Sequence, residues 1–187
     1  MAFCHRLGDD EKQELLRLAR ATLLEFTATG TVPSDEPRHQ SLRDHAGAFV
    51  TLRSRDGQLR GCIGSQDEST PLYKTVQDMA IAAASRDPRF ENVTEAELGD
   101  LVIEISVLGE RGEVTGETDV TVGRHGLAIR CNGRRGLLLP QVAIEHGWSA
   151  AHFLERVCAK AGLPGDAWSS PDAQIQRFTA QVFGETL

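Results

Sequence analysis

No uninterrupted apolar run in the 187-residue chain is longer than a few residues, Ala80-Ile81-Ala82-Ala83-Ala84 being an example, and this excludes a helix that crosses a membrane. The opening residues, Met1-Ala2-Phe3-Cys4-His5-Arg6, lack the apolar segment of a signal peptide. The expected compartment is therefore the cytoplasm, with its thiols reduced. The four cysteines, Cys4, Cys62, Cys131 and Cys158, are scattered, and none forms a CxxC pair, which argues against a zinc ribbon or a thioredoxin-type site. The six histidines stand apart and no HExxH-like pair occurs, so neither a metal site nor a cofactor is expected. There is no repeat of fixed period and no low-complexity tract.

What is present is globular. Apolar residues make up 40% of the chain and charged residues 25%, with a formal net charge of −7. A chain this long buries a sizeable core without disulfide or metal staples, as a single domain, residues 1–187, or one with a small appendage. The acidic balance disfavours general nucleic-acid binding. Charge is unevenly spread: residues 95–119 carry eight acidic side chains and one basic one, Arg111, whereas residues 120–144 carry Arg124, Arg130, Arg134 and Arg135 and no acid. A solvated face and an anion-facing patch both fit the second segment.

The spacing of Leu16, Ala19, Leu23 and Phe26, widened by Leu15 and Leu24, predicts an amphipathic helix over 10–27, with Asp10 and Gln13 as its capping pair. Residues 30–45 read as a surface loop. Thr70-Pro71 opens a second helix, which must end near Ser85 because Pro88 disfavours helix at Asp87. Thr94 and Glu97 cap a short turn, and the β-branched residues 101–108 predict a central strand. A hairpin follows at Asn132-Gly133, then a short helix from Pro140, a helix capped by Ser149, and a closing strand at 178–183. Hairpins mixed with separate helices give an α+β class.

The clearest local unit is 46–64, two alternating runs around Asp56-Gly57. A two-residue turn there pairs Arg53 with Arg60, Leu52 with Gly61, Thr51 with Cys62 and Val50 with Ile63. One face is then core, and the other carries Thr51, Arg53, Arg60 and Cys62. Facing arginines repel unless an anion or a carboxylate lies between them. Positive neighbours favour a thiolate, the nucleophilic form of cysteine. Gly61 and Gly64 leave room for a ligand or another backbone. Against this, a free cysteine in a strand is more often a small apolar packing residue. His125 is the candidate base for the thiol, although a turn histidine needs no catalytic role. Asp87 and Arg89 in Asp87-Pro88-Arg89-Phe90 are read either as a proline turn or as a pair lining a cleft. Cys158 lies on the apolar face of its helix and Cys131 adjoins a hairpin turn.

Leu59-Arg60-Gly61-Cys62-Ile63-Gly64 is similar to the LRGCIG signature of the AMMECR domain family. The resemblance continues through Gly47–Leu52, Asp87–Phe90, Ile105–Leu108, Gly123–Leu127, Leu138–Val142, Lys160–Leu163, Trp148, Trp168 and Phe178 to Phe183, nearly the whole chain. It implies an α+β domain with an antiparallel or mixed sheet, flanking helices and a smaller subdomain. The chain resembles the stand-alone form called AmmeMemoRadiSam system protein A, which implies Memo-like and radical SAM proteins as separate partner chains and points to Arg60, Gly61 and Cys62 as functional. Two functions remain open. One is an enzyme or accessory enzyme using Cys62 and Arg60, with Arg53, Gly64, Asp87 and Arg89 shaping the site for a small anionic substrate. The other is a non-catalytic module docking an acidic partner through its arginine face.

Overall fold

The computed structural model describes residues 6–186; Cys4 lies outside the described residues. Four helices and six strands follow one another: α1 (Asp9–Thr29), β1 (Ala48–Ser54), β2 (Leu59–Ser65), α2 (Leu72–Ser85), β3 (Leu101–Glu113), β4 (His125–Cys131), β5 (Arg134–Leu138), α3 (Pro140–Glu145), α4 (Ala150–Lys160) and β6 (Gln174–Gly184). The strands hydrogen-bond in the order β2-β1-β3-β6-β4-β5, an α+β fold. The chain divides into two compact units, one running to Leu108 and including the stretch from Gln181, the other Gly109–Ala180. Among the described residues no helix is long and apolar enough to cross a membrane.

In the first unit α1 buries Leu15, Leu16, Leu18, Ala19 and Leu23, while Leu24 is exposed and Phe26 half-buried. Its cap is Gly8 with Glu11, whose carboxylate accepts the Gly8 N–H at 2.6 Å, not Asp10 with Gln13. The helix starts at Asp9, a residue before the expected 10, and the three acids in its first turn suit the positive end of the dipole. Buried Glu14 pins the 30–45 loop by accepting the N–H groups of Arg38 at 2.8 Å and His39 at 3.1 Å. Arg20 donates to Leu98 O and Leu101 O, both at 2.8 Å, and pairs with Glu185. That ties α1 to the start of β3 and to the C-terminal residues.

The β1–β2 hairpin departs from the expected turn. Its loop has three residues, 55–57: Ser54 N–H donates to Gln58 O at 2.9 Å, Gly57 N–H donates to Ser54 O at 2.8 Å, and Gly57 takes φ +87°. This shifts the pairing by one, so Arg53 faces Leu59 and not Arg60. A bulge then leaves Arg60 as the extra residue and restores the register, with Leu52 facing Gly61, Thr51 facing Cys62 and Val50 facing Ile63. Helix α2 lies against both strands. It begins at Leu72 with Pro71, not Thr70, in the capping position, and ends at Ser85 as Pro88 requires. Its seat is Gly61, where a Cβ would stand 2.2 Å from the Ala83 carbonyl oxygen.

The second unit uses the same devices. Asn132 and Gly133, at φ 49° and 77°, close the β4–β5 hairpin, and α4 rests on it over Gly136, where a Cβ would stand 2.7 Å from Val157 O. Phe153, Leu154, Val157 and Cys158 of α4 pack with Leu127, Ile129 and Ile175. Ser149 caps α4 by accepting the His152 N–H at 3.3 Å. Strand β3 runs past the predicted 101–108 to Glu113, because its polar continuation keeps an extended backbone after the apolar signal ends.

Gly61→Ala is expected to cost about 3 kcal/mol, since the opposing atoms are backbone and cannot rotate away. Gly99→Ala, with open space around it, is expected to change stability by less than about 0.5 kcal/mol. Urea unfolding of the two variants checks this, and equal losses would show that the close approach is relieved by movement.

Candidate functional site

Cys62 sits in the middle of β2, which ends the sheet. In an edge strand every second residue turns its peptide groups away from the neighbouring strand. Cys62 is such a residue, and both groups find partners in the turn that follows α2. Asp87 accepts the Cys62 N–H at 2.9 Å, and the Arg89 guanidinium donates to Cys62 O at 3.4 Å. Arg89 also grips Asp87 by two bonds, Nε to Oδ1 at 2.9 Å and Nη2 to Oδ2 at 2.6 Å, while its own N–H donates to Oδ1 at 3.2 Å. The Arg89 hydrogen bonds are the main reason that the Asp87 carboxyl is held far below the usual carboxylate range, against the cost of burial. The aspartate is buried; Arg89 keeps a side chain 50% exposed, so part of its guanidinium faces solvent.

The Cys62 side chain is half-buried and lies beside Thr51, whose hydroxyl donates to Sγ at 3.3 Å. Thr51 in turn faces Glu104 of β3, so Cys62, Thr51 and Glu104 form a row across three strands. The row spans two strand spacings, roughly 9.5 Å. On one side of it Phe49 lies over Gly64, where a Cβ would stand 2.1 Å from the ring. On the other side is Arg53, which among the described residues donates only to Gly57 O, at 3.3 Å.

Arg60 is placed differently from its expected position. Freed from the ladder by the bulge, it binds Glu97 through Nε at 2.9 Å and Nη2 at 3.4 Å, and donates to Glu91 O at 2.8 Å and Asn92 O at 3.4 Å. Glu97 is correspondingly acidified, first by Arg60 and then by the Thr94 N–H it caps. The guanidinium also lies 6.0 Å from the centre of the Phe90 ring. Arg60 therefore fastens segment 91–97 to the strand, and among the described residues Arg53 and Arg89 are the cations that the hairpin and the following turn leave beside Cys62.

His125 belongs to the second unit, at the start of β4. It is 8% exposed, and its Nδ1 accepts the Thr121 N–H at 3.0 Å. Burial, then the charges of Arg177 and Arg124, keep its pKa below the ordinary histidine value. The ring is neutral and occupied in building the 121–125 turn. Glu104 has no signal in the sequence, and neither does the Glu97 pairing with Arg60, whereas Thr51 stands opposite Cys62 as the alternation implies. The capping pattern around Glu97 was visible, but its pairing with Arg60 depends on the bulge, and Glu104 enters the row only through the β1–β3 register. A groove of about 640 Å³ elsewhere in the first unit is lined by Arg20 and Glu185, which satisfy each other. Among the described residues no group of three His, Cys, Asp or Glu side chains is placed to hold a metal.

The depressed Asp87 pKa has a definite sign. The unfolded carboxyl, with a pKa near 3.9, takes up a proton before the folded one does. The stability from this cluster is therefore complete above that value and is lost as pH falls below it. Asp87→Asn is expected to cost about 1–3 kcal/mol at pH 7 and to flatten the acid limb of stability against pH. Urea unfolding between about pH 7 and 3 measures both effects, and an unchanged limb would show that the cluster does not couple to folding.

Comparison with known proteins agrees with this architecture. The AMMECR1 family model matches residues 16–183. A Methanopyrus kandleri protein is 41% identical over 188 residues, covering 96% of this chain and 91% of its own length. A Methanothermobacter thermautotrophicus protein is 42% identical over 188 residues, 96% of each chain. The crystal structure of an uncharacterized protein from Pyrococcus horikoshii superposes with a TM-score of 0.89 at 38% identity, covering 96% of this chain and 93% of that one. With its family model spanning both units and its fold shared at this identity, the chain belongs to the AMMECR1 family.

Proposed function

We propose that the chain is a thiol-dependent enzyme, or accessory enzyme, in which Cys62 attacks a small anionic substrate. The observation that carries this reading is the presentation of the thiol. Cys62 is held at both its N–H and its C=O by the Asp87–Arg89 pair, while the residue is only half-buried and its Sγ lies against the Thr51 hydroxyl. A packing cysteine needs none of these attachments, and a nucleophile needs a fixed backbone and a sulfur held in one direction. In the reaction Sγ bonds to an electrophilic carbon, and the leaving group departs with the electron pair of the broken bond and with the proton of the thiol. Water then cleaves the bond to sulfur and restores the thiol. Arg53 and Arg89 hold the substrate's negative charge, and Glu104, across Thr51, limits how far an anionic group extends along the row. Collaboration with separate Memo-like and radical SAM proteins is part of the proposal and is supported by the family resemblance alone.

The competing reading, a module that docks an acidic partner, uses the same arginines without a covalent step. The two separate on cysteine chemistry. Iodoacetamide is expected to modify Cys62 in the folded protein, with Cys131 and Cys158 reacting only in denaturant because they are buried at 3% and 0% exposure. Inorganic phosphate should slow the Cys62 reaction, Arg53→Ala should remove that protection, and Thr51→Val should slow alkylation about fivefold through loss of one hydrogen bond to sulfur. Peptide mapping over time measures all of these. A Cys62 that reacts only after unfolding would discard the enzyme reading in favour of docking.

A further inference from the structure

Strand β5 is the other end of the sheet, and it is finished differently from β2. In a two-residue hairpin the closing pair, here Cys131 with Arg134, exchanges hydrogen bonds, and pairs then alternate. Arg135 and Leu137 consequently turn their N–H and C=O groups away from β4, off the edge of the sheet. Among the described residues nothing plays there the part that Asp87 and Arg89 play at Cys62.

The side chains of this edge carry a second mark. Arg135 stands directly opposite Arg130, and Arg130 directly opposite Gln174 of β6; all three are exposed. Neither arginine has a hydrogen-bond or carboxylate partner among the described residues, and no acid occurs in 120–144. Like charges directly across a ladder are destabilising without an anion between them. An arginine on an edge strand has an ordinary use in discouraging association. Arg130 is on β4, an inner strand, where a charge guards no edge, so the pair calls for another account. Two residues along, Ala128 and Leu137 face each other half-buried, which gives a small apolar step beside the charged row.

We propose that the β5 edge and its arginine row form a docking site for an extended acidic peptide segment of a partner protein, added to the sheet as a further strand. The peptide backbone bonds Arg135 and Leu137. An acidic side chain reaches Arg130 and Arg135, and an apolar side chain two residues along covers Leu137. Charge selects this occupant. A second copy of the chain pairing through β5 would bring arginine against arginine. Nucleic acid has no use for an open peptide edge, finds no aromatic side chain in the row and meets a chain of net charge −7. The site is independent of Cys62 and of any chemistry there.

The test uses the whole protein and a short fluorescein-labelled peptide, Thr-Glu-Thr-Val-Thr-Glu-Thr. Saturable anisotropy is expected at low salt, with shifts of the Arg135 and Leu137 amide resonances. Arg130→Glu with Arg135→Glu should weaken binding at least about tenfold, as reversing charges at a complementary contact does. Both side chains are exposed, so the double variant should keep its fold, which circular dichroism checks. Backbone N-methylation of the peptide should weaken binding to the unaltered protein equally. Absence of binding overturns the proposal. So does equal affinity for the N-methylated peptide, which indicates charge attraction without strand pairing, and so does tighter binding of a short oligothymidine, which indicates a nucleic-acid surface.

Discussion

The first unit depends on the approach of one helix backbone to one strand. At Gly61 there is no room for even a methyl group before the Ala83 carbonyl, so α2 can lie flat on β2 only where a side chain is missing. Everything at the candidate site follows from that contact. The helix ends at Ser85 because Pro88 is near, and the next turn is set down beside Cys62. Asp87, two residues past the helix end, is then in reach of the Cys62 N–H. Buried among four donors, the carboxylate remains charged, and that charge holds Arg89 in place. A glycine, a proline and an aspartate thus close the sheet edge and fix the thiol.

The second unit repeats the method with other residues. A hairpin is followed by a helix that settles on a glycine, here α4 on Gly136, and an aromatic ring covers another glycine, Phe178 over Gly126 as Phe49 over Gly64. Missing side chains set the helix-to-sheet distances in both places, and rings fill the gaps on the opposite faces. The two units differ at their outer edges. β2 is closed by a buried acid and an arginine, whereas β5 is open and bears Arg135, which has no partner among the described residues. An edge of the second kind invites association, and natural sheets seldom leave one without a purpose.

Arginine has opposite roles in different parts of the molecule. Arg20 and Arg60 are fasteners: each binds a glutamate and backbone carbonyls, and each joins segments far apart in sequence. Their planar, multi-donor head suits this, and a lysine would serve worse. Among the described residues Arg53, Arg130 and Arg135 have no carboxylate partner, and their charge is available to something outside the chain.

Composition, punctuation and alternation in the sequence determined the fold class, nearly every element, the hairpin at Asn132-Gly133, the end of α2 and the pairing of Thr51 with Cys62. These depend on local physics: proline geometry, positive φ at glycine or asparagine, and burial with a period of two or 3.6 residues. Only the tertiary structure decided what the charged residues do. A three-residue turn and a bulge cannot be told from a two-residue turn by alternation alone, because the two shifts cancel after one pair, yet they move Arg60 from the thiol's face to Glu97. His125 looked exposed because its turn is polar, but packing buried it and gave its Nδ1 to Thr121. Glu104 acquired its place beside Thr51 from a strand register that spans more than 50 residues of chain. Local patterns determine which elements form; the partner of each charge depends on long-range packing, where a one-residue shift in pairing changes the chemistry and leaves the hydrophobic pattern untouched.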